Sequence, residues 1–220
     1  LKSEDENHQL SPISNVTFGL TAMSPNVYNM VSVPKTPSPD TPQAVLGDDV
    51  GSPLYLYEWD SRGVGQDLGC YNGLPAPYNP SGVLPNCGAI SAVAPGNAYL
   101  LWSPRLDIVL DAPQGSSDVV SANFVLTLQE GWNMLGTPYG KEVPLTAMTL
   151  QSPDGTVTKT FQEAVRDGWM EGAIYTFNGV NYTDEPCNDS LGCSVVLQPW
   201  KGYWILVKVG EGYQLVIPRP

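Results

Sequence analysis

The sequence predicts a mainly β protein made of two tandem modules, and three observations support this prediction. First, 22 glycines and 21 prolines in 220 residues leave little room for long helices, because both residues disfavour them. Second, short alternating runs such as 123–128 end in turn residues, which is typical of strands. Third, the chain contains an internal repeat. We therefore expect two sandwich-like or small-barrel modules related by this repeat, with one short helix each.

The repeat links two distant pairs of motifs through one offset of 104 residues. YNMVSVP at 28–34 aligns with WNMLGTP at 132–138, and PGNAYLLW at 95–102 aligns with PWKGYWIL at 199–206. Because a single register serves both pairs, a tandem repeat explains them best.

The boundary between the modules is predicted in a stretch rich in proline, glycine and serine at 112–117. Such a composition is typical of a linker. The predicted organisation is an N-terminal arm (1–15), a first β module (16–112) and a second β module (113–220).

Local signals predict where the short helix of each module begins and ends. Pro42 suits the first turn of a helix, and Thr160 with Glu163 forms a capping box. We expect Gly47 and Gly168 to end the two helices, because glycine is common just after a helix C-terminus.

The repeat motifs resemble a known kind of module. Gly131–Trp132–Asn133–Met134, a nearby proline, an aromatic strand and then PWKGYW at 199–204 are similar to the GWN/GYW-type β-rich repeat of secreted or cell-surface prokaryotic proteins. The first module carries the pattern in part, with Val27–Tyr28 in place of Gly–Trp and Ala98–Tyr99–Leu100 in place of Gly–Tyr–Trp. The resemblance implies an accessory or structural part of a larger extracellular protein, and it brings no catalytic residues.

The four cysteines form two local pairs, Cys70 with Cys87 and Cys187 with Cys193. Neither spacing is the CxxC of a metal or redox pair, and the pairs fall at equivalent places of the repeat. Two disulfides are the prediction, and four free thiols are the alternative. Because disulfides persist in oxidising compartments, we expect an extracellular or cell-surface protein.

Charge and residue usage exclude several functions. With 10 basic and 22 acidic residues the net charge is −12, so the chain repels nucleic acid and anionic lipid. No apolar run approaches the roughly 18 residues of a membrane span. The single histidine, His8, lies in a polar stretch, which excludes a histidine triad or a multi-histidine metal site in the folded modules. We predict a protein that is not an enzyme, with no catalytic residue.

Acidic clusters carry the remaining candidate chemistry. They are Asp48–Asp49, Asp184–Glu185 with Asp189, and residues 4–6. None matches a calcium-binding loop, so we interpret them as solvated and predict no metal site and no cofactor. Calcium binding and a carboxylate-based glycoside hydrolase remain the alternatives.

Three aromatic residues near one turn suggest a platform for carbohydrate. Neighbours in a strand face opposite ways, so Tyr203 and Trp204 cannot share a surface, and we predict that both are buried, as is Trp132. Trp200 lies in the turn and is the ring expected to be exposed, which makes it the candidate ligand-binding residue.

Three Asn-x-Ser/Thr sequences mark candidate glycan attachment sites at Asn15, Asn181 and Asn188. They matter only in a host that glycosylates its proteins.

The favoured function is that of a structural subunit of an extracellular surface layer, fibre or filament, with copies of itself or other surface proteins as partners. Its assembly residues would be Ile13, Val16, Phe18 and Leu20 in a strand-like segment, of which the last three share one face. The alternatives are a carbohydrate- or surface-binding accessory module and, less favoured, the hydrolase. The N-terminal arm could equally lie across its own module.

Deletion of residues 1–12 tests the assembly hypothesis. The polar arm has no apolar residue to bury between positions 2 and 9, so pairing with the sheet edge of another copy would offset the cost of ordering it. We expect the truncated protein to keep its melting temperature and lose polymerisation under electron microscopy. Polymers identical to those of the full chain would contradict the hypothesis.

Overall fold

Antiparallel strands dominate this protein, which confirms the predicted mainly β class. The structure is a computed structural model that describes residues 19–20, 25–60, 70–75, 88–104, 108–187 and 193–220. Within those ranges the sheets stay open, so the sandwich-like alternative holds and the small barrel does not. The predicted arm (1–15) lies outside the described residues.

The first module is built around one four-stranded sheet with the order β2-β5-β3-β4. Its helical segment is a π-helical turn that continues into α1, and β1 pairs with β6 beside the sheet. The elements are β1 (Gly19–Leu20), β2 (Val27–Ser32), the π-helical turn (Gln43–Gly47), α1 (Asp48–Val50), β3 (Tyr55–Asp60), β4 (Cys70–Leu74), β5 (Ala98–Ser103) and β6 (Val109–Leu110).

The second module contains two four-stranded sheets with one hydrophobic core between them. Leu150 and Leu215 of one sheet share this core with Ile174 and Ile205 of the other. The elements are β7 (Asn123–Thr127), β8 (Gly131–Leu135), β9 (Val143–Pro144), a 3₁₀ turn (Leu145–Ala147), β10 (Thr149–Gln151), β11 (Thr158–Thr160), α2 (Phe161–Arg166), β12 (Ala173–Phe177), β13 (Tyr182–Pro186), β14 (Val196–Leu197), β15 (Tyr203–Val207) and β16 (Gln214–Pro218). The sheet orders are β11-β10-β16-β7 and β13-β12-β15-β8, and β14 pairs with β9.

The internal repeat reappears as strand register. Tyr28 pairs with Trp102 between β2 and β5, and Trp132 pairs with Leu206 between β8 and β15. Both positions shift by 104 residues from one module to the other, and the flanking pairs follow the same rule. Trp132 therefore occupies the place that Tyr28 has in the first module.

The asparagine of each repeat motif closes the turn before its strand. The Asn133 side chain donates to the carbonyls of Gln129 (2.8 Å) and Gly131 (2.9 Å), and it accepts from the Gln129 N–H (2.9 Å). Asn29 donates in the same way to the Val27 carbonyl (3.2 Å). Both modules have an asparagine at this position because its side chain satisfies backbone groups of the turn.

The tyrosine of the second motif has an equivalent structural role in both modules. The Tyr203 hydroxyl accepts from the Gln198 N–H (3.0 Å) and donates to the Val196 carbonyl (3.1 Å), while the Tyr99 hydroxyl accepts from the Ala94 N–H (3.0 Å). Both rings are buried, at 1% exposure each. The prediction that Tyr203 is a core residue is thus confirmed.

One of the two predicted helix ends is wrong. The capping box of Thr160 and Glu163 is present, and Gly168 follows α2 with a φ of 75°. Gly47, however, keeps a helical φ of −75°, and the helical segment ends at Gly51, with a φ of 90°. The end of the Gln43 side chain lies against Gly47, and Gly47 does not end the helical segment.

The two modules meet through a pair of backbone hydrogen bonds related by the repeat. The Ser32 N–H donates to the Trp200 carbonyl (3.1 Å), and the Gly136 N–H donates to the Gly96 carbonyl (2.8 Å). The two donors, Ser32 and Gly136, are 104 residues apart, and so are the two acceptors, Gly96 and Trp200. The junction therefore has the reciprocal geometry of a two-fold dimer interface within one chain.

Trp200 is wholly buried, at 0% exposure, so the prediction that its ring is exposed is wrong. The indole belongs to the hydrophobic core of the first module, although the residue lies in a turn of the second. Its φ is 65° and that of its counterpart Gly96 is 79°. A left-handed conformation costs a residue with a side chain about 1–2 kcal/mol, and burial of a large aromatic ring offsets this cost.

Exchanging two equivalent residues tests the reciprocal junction. A side chain at Gly136 would collide with Ser32, so we expect Gly136→Ser to lower the free energy of unfolding by about 1–3 kcal/mol. Ser32→Gly removes the obstacle, so the double variant S32G/G136S should regain most of that loss. Chemical denaturation of the four proteins measures the coupling between the two positions. Additive losses would contradict the proposed two-fold relation.

Candidate aromatic binding site

A cleft lined by aromatic rings lies where the sheets of the two modules face each other. Its volume is about 390 Å³. The lining residues are Trp59 and Tyr71 from the first module, and Trp132, Tyr175, Tyr182 and Trp204 from the second. Because both modules contribute, the cleft exists only when they are docked.

Strand alternation directs these rings away from the two cores. Trp59 on β3 and Tyr71 on β4 are opposite each other in register, while Leu56, three residues before Trp59 and so on the other face of β3, is buried in the first core. On β15, Trp204 faces the cleft and Tyr203 faces the core. The prediction that these two neighbours lie on different surfaces is therefore confirmed.

The rings form a box rather than a flat platform. Trp204 is the floor, and its centroid lies 5.8 Å from that of Trp59 and 6.1 Å from that of Trp132, with interplanar angles of 75° and 82°. Two further edge-to-face pairs extend the walls, Trp59 with Tyr71 at 4.9 Å and Trp132 with Tyr175 at 5.3 Å. Edge-to-face pairs are a favourable aromatic geometry, so the box is preformed.

The exposure of the rings separates floor from walls. Trp204 is 6% exposed, which confirms its predicted burial, whereas Trp132 is only half-buried. Trp132 packs in the cleft and not in a hydrophobic core, because this face of β8 is directed into the cleft. In the sequence, the alternating aromatic residues of β3 indicate an aromatic face of this strand. They do not show which other strands lie against that face.

The polar atoms of the cleft are hydroxyl groups and indole N–H groups. The indole N–H groups of Trp59 and Trp204 are buried and have no hydrogen-bond acceptor among the described residues. Burial raises the pKa of the Tyr182 hydroxyl. The Trp204 N–H is outside hydrogen-bonding geometry, but it lowers the pKa of this hydroxyl. A buried donor without an acceptor is unfavourable, so the two indole N–H groups carry an energetic cost in this arrangement.

The carboxylates of Glu171 and Asp184 lie near Tyr175 at the rim of the cleft. Asp184 is opposite Tyr175 in the register of β13 and β12. Burial raises the pKa of the Tyr175 hydroxyl, and the charges of Glu171 and Asp184 raise it further, while Lys208 lowers it. Lys208 forms an ion pair with Glu171 at 2.5 Å, which offsets its positive charge. The rim is therefore negative on balance.

The other acidic cluster of the described chain is structural. The Asp49 carboxylate accepts from the Asp111 N–H (3.1 Å), and burial, followed by the charges of Asp48 and Asp111, raises the pKa of Asp49 to about 7. Among the described residues no three histidine, cysteine or acidic side chains are arranged to hold a metal. Asp189 and residues 4–6 lie outside the described residues.

The cysteines give one disulfide with both partners described, between Cys187 and Cys193. Cys70 is also disulfide-bonded, while Cys87 lies outside the described residues. The bridge of the second module closes the segment that follows β13 and so lies beside the strand that carries Tyr182 and Asp184.

The remaining predicted site residues are mostly beyond the described chain. Asn181 is exposed in the turn between β12 and β13, where a glycan could be attached. Leu20 lies in β1, which pairs with β6 of its own module. Asn15, Asn188, Ile13, Val16 and Phe18 lie outside the described residues, and so does His8.

The raised pKa of Asp49 predicts a pH dependence of stability. The folded protein keeps this proton up to about pH 7, whereas the unfolded chain releases it near pH 4. The contribution to stability is therefore complete below about pH 4 and is lost as the pH rises to about 7. We expect the urea-denaturation midpoint of Asp49→Asn to change less with pH over this range than that of the wild type. Glu211→Gln, at an exposed position, is the matched control and should retain the wild-type slope.

Comparison with known proteins offers no relative from which a function could be transferred. No family model matches the chain, and no curated protein or solved structure matches it. Within the described residues, no helix is long and apolar enough to cross a membrane. The resemblance to GWN/GYW-type repeats therefore stays a prediction, and the aromatic cleft is the described feature that indicates a function.

Proposed function

We propose that this chain is a non-enzymatic extracellular binding module that holds its ligand in the aromatic cleft. The observation that carries the proposal is the box of Trp59, Trp132 and Trp204 at the junction of the modules. We therefore favour the accessory-module alternative over the structural subunit, because aromatic rings of both modules converge in one cleft.

The exposure of the rings argues for binding rather than for packing alone. Trp59, Tyr71, Trp132 and Tyr175 are half-buried, and Tyr182 is 55% exposed. A contiguous apolar surface that stays open to water is characteristic of a ligand site or an interface. Each module already has its own core, so these rings are available for a ligand.

The indole N–H signals provide a direct test. The six tryptophans each give one such signal in a ¹⁵N-correlated NMR spectrum. We would titrate the protein with choline chloride, with the N-acetylglucosamine trimer and with a proline-rich decapeptide. We expect at least one probe to shift the signals of Trp59, Trp132 and Trp204 saturably, while those of Trp102, Trp169 and Trp200 stay in place.

Two variants complete the experiment. Trp132→Ala removes a wall of the cleft and should abolish the response. Trp102→Ala is the matched control, because Trp102 is also half-buried and pairs edge-to-face with Tyr55, yet it lies outside the cleft. If none of the three probes moves the cleft signals, or if both variants respond alike, the proposal is wrong.

Assembly into a surface layer or fibre is the second candidate, and one observation favours it. Among the described residues β7 pairs only with β16, and Val125 on β7 is 47% exposed. An edge strand with an exposed apolar side chain can pair with another chain. This candidate is compatible with ligand binding, since β7 and the cleft are built from different strands. The deletion of residues 1–12 described above tests it.

A further inference from the structure

We infer that the ligand of the aromatic cleft is an organic cation that carries a quaternary ammonium group, as in choline. This inference rests on the proposed function, because it names the ligand class of the same cleft. Three properties of the cleft support it: the arrangement of the rings, the lack of charged lining residues, and the charge of the rim.

The ring arrangement suits a rounded cation. A cation is attracted to the face of an aromatic ring within about 6 Å, most strongly to that of tryptophan. Trp59 and Trp132 stand nearly perpendicular to Trp204, so a group between them meets aromatic surface on several sides. A flat sugar ring stacks on a single face and would use one wall of this box.

The lining chemistry disfavours a sugar. All six lining residues are aromatic, so the cleft offers few partners for several sugar hydroxyls, and each hydroxyl that loses water without a new hydrogen bond is unfavourable. A quaternary ammonium has no N–H to satisfy. Its methyl groups can leave water at low cost and contact the rings.

The size of the cleft suits a small organic cation. The cleft is large enough for such a ligand, at about 390 Å³.

The charge of the rim matches a cation. Asp184 is opposite Tyr175, and Glu171 also acts on the Tyr175 hydroxyl. Lys208 is the basic group that acts on this hydroxyl, and it is paired with Glu171. The chain as a whole has a net charge of −12, so approach of a cation is favoured over that of an anion.

A neutral isostere separates charge from shape. Choline and 3,3-dimethyl-1-butanol have the same shape, but the second compound lacks the positive charge. We expect calorimetry and the indole signals to show that choline binds about tenfold more tightly than the alcohol, in line with the strength of cation–π attraction. Equal affinity would overturn the inference.

Cleft variants locate the effect. Trp132→Phe keeps the ring but weakens its attraction for cations, so choline binding should weaken while the affinity for the alcohol changes little. Asp184→Asn should weaken choline binding and reduce its dependence on salt. Glu211→Gln is the matched control, because it removes one negative charge at an exposed position. Thermal unfolding of each variant identifies any loss that comes from misfolding.

The outcomes distinguish this inference from the proposed function. If the N-acetylglucosamine trimer or the neutral alcohol shifts the Trp59, Trp132 and Trp204 signals while choline does not, the cation inference is wrong and the binding function stands. If choline binds equally well to wild type, Trp132→Ala and Asp184→Asn, the cleft is not its site. If no probe moves these signals, both proposals fail.

Discussion

The reciprocal docking of the two modules is the constraint on which the rest of the structure depends. Two equivalent backbone hydrogen bonds, Ser32 to Trp200 and Gly136 to Gly96, cross the junction in opposite directions. Such contacts need backbones in close approach, which explains why Gly136 and Gly202 lie against Ser32 and Met30 with no room for a side chain. A duplicated sequence forms this arrangement readily, because one self-complementary contact is satisfied twice.

The backbone of the junction is symmetric, but its side chains have diverged. Gly96 in the first module leaves space that Phe124 fills, whereas its counterpart Trp200 fills the core of the first module with its own ring. Leu100 likewise stands where the second module has Trp204, since both pair with the methionine of their repeat motif. The first module therefore has a leucine where the second has the tryptophan that forms the floor of the cleft. The backbone is symmetric, but the aromatic cleft is not.

Strand alternation lets the same elements serve both stability and binding. One face of β15 gives Tyr203 and Ile205 to a buried core, and the other gives Trp204 to the cleft. The cleft rings stabilise one another through edge-to-face contacts, while most of them keep part of their surface in water. Each module has its own hydrophobic core, so the fold does not depend on filling the cleft.

The sequence by itself determined the elements and their repeat. Gly and Pro content, alternating runs and the capping box at Thr160 are local signals, and they predicted the β class, α2 and the opposite orientations of Tyr203 and Trp204. Which surfaces meet was decided by the tertiary structure alone. A turn residue such as Trp200 is buried only because another module covers it, and Trp59 and Trp132 form one site although 73 positions separate them in the chain. Long-range docking depends on the complementarity of two folded faces, which no local pattern encodes.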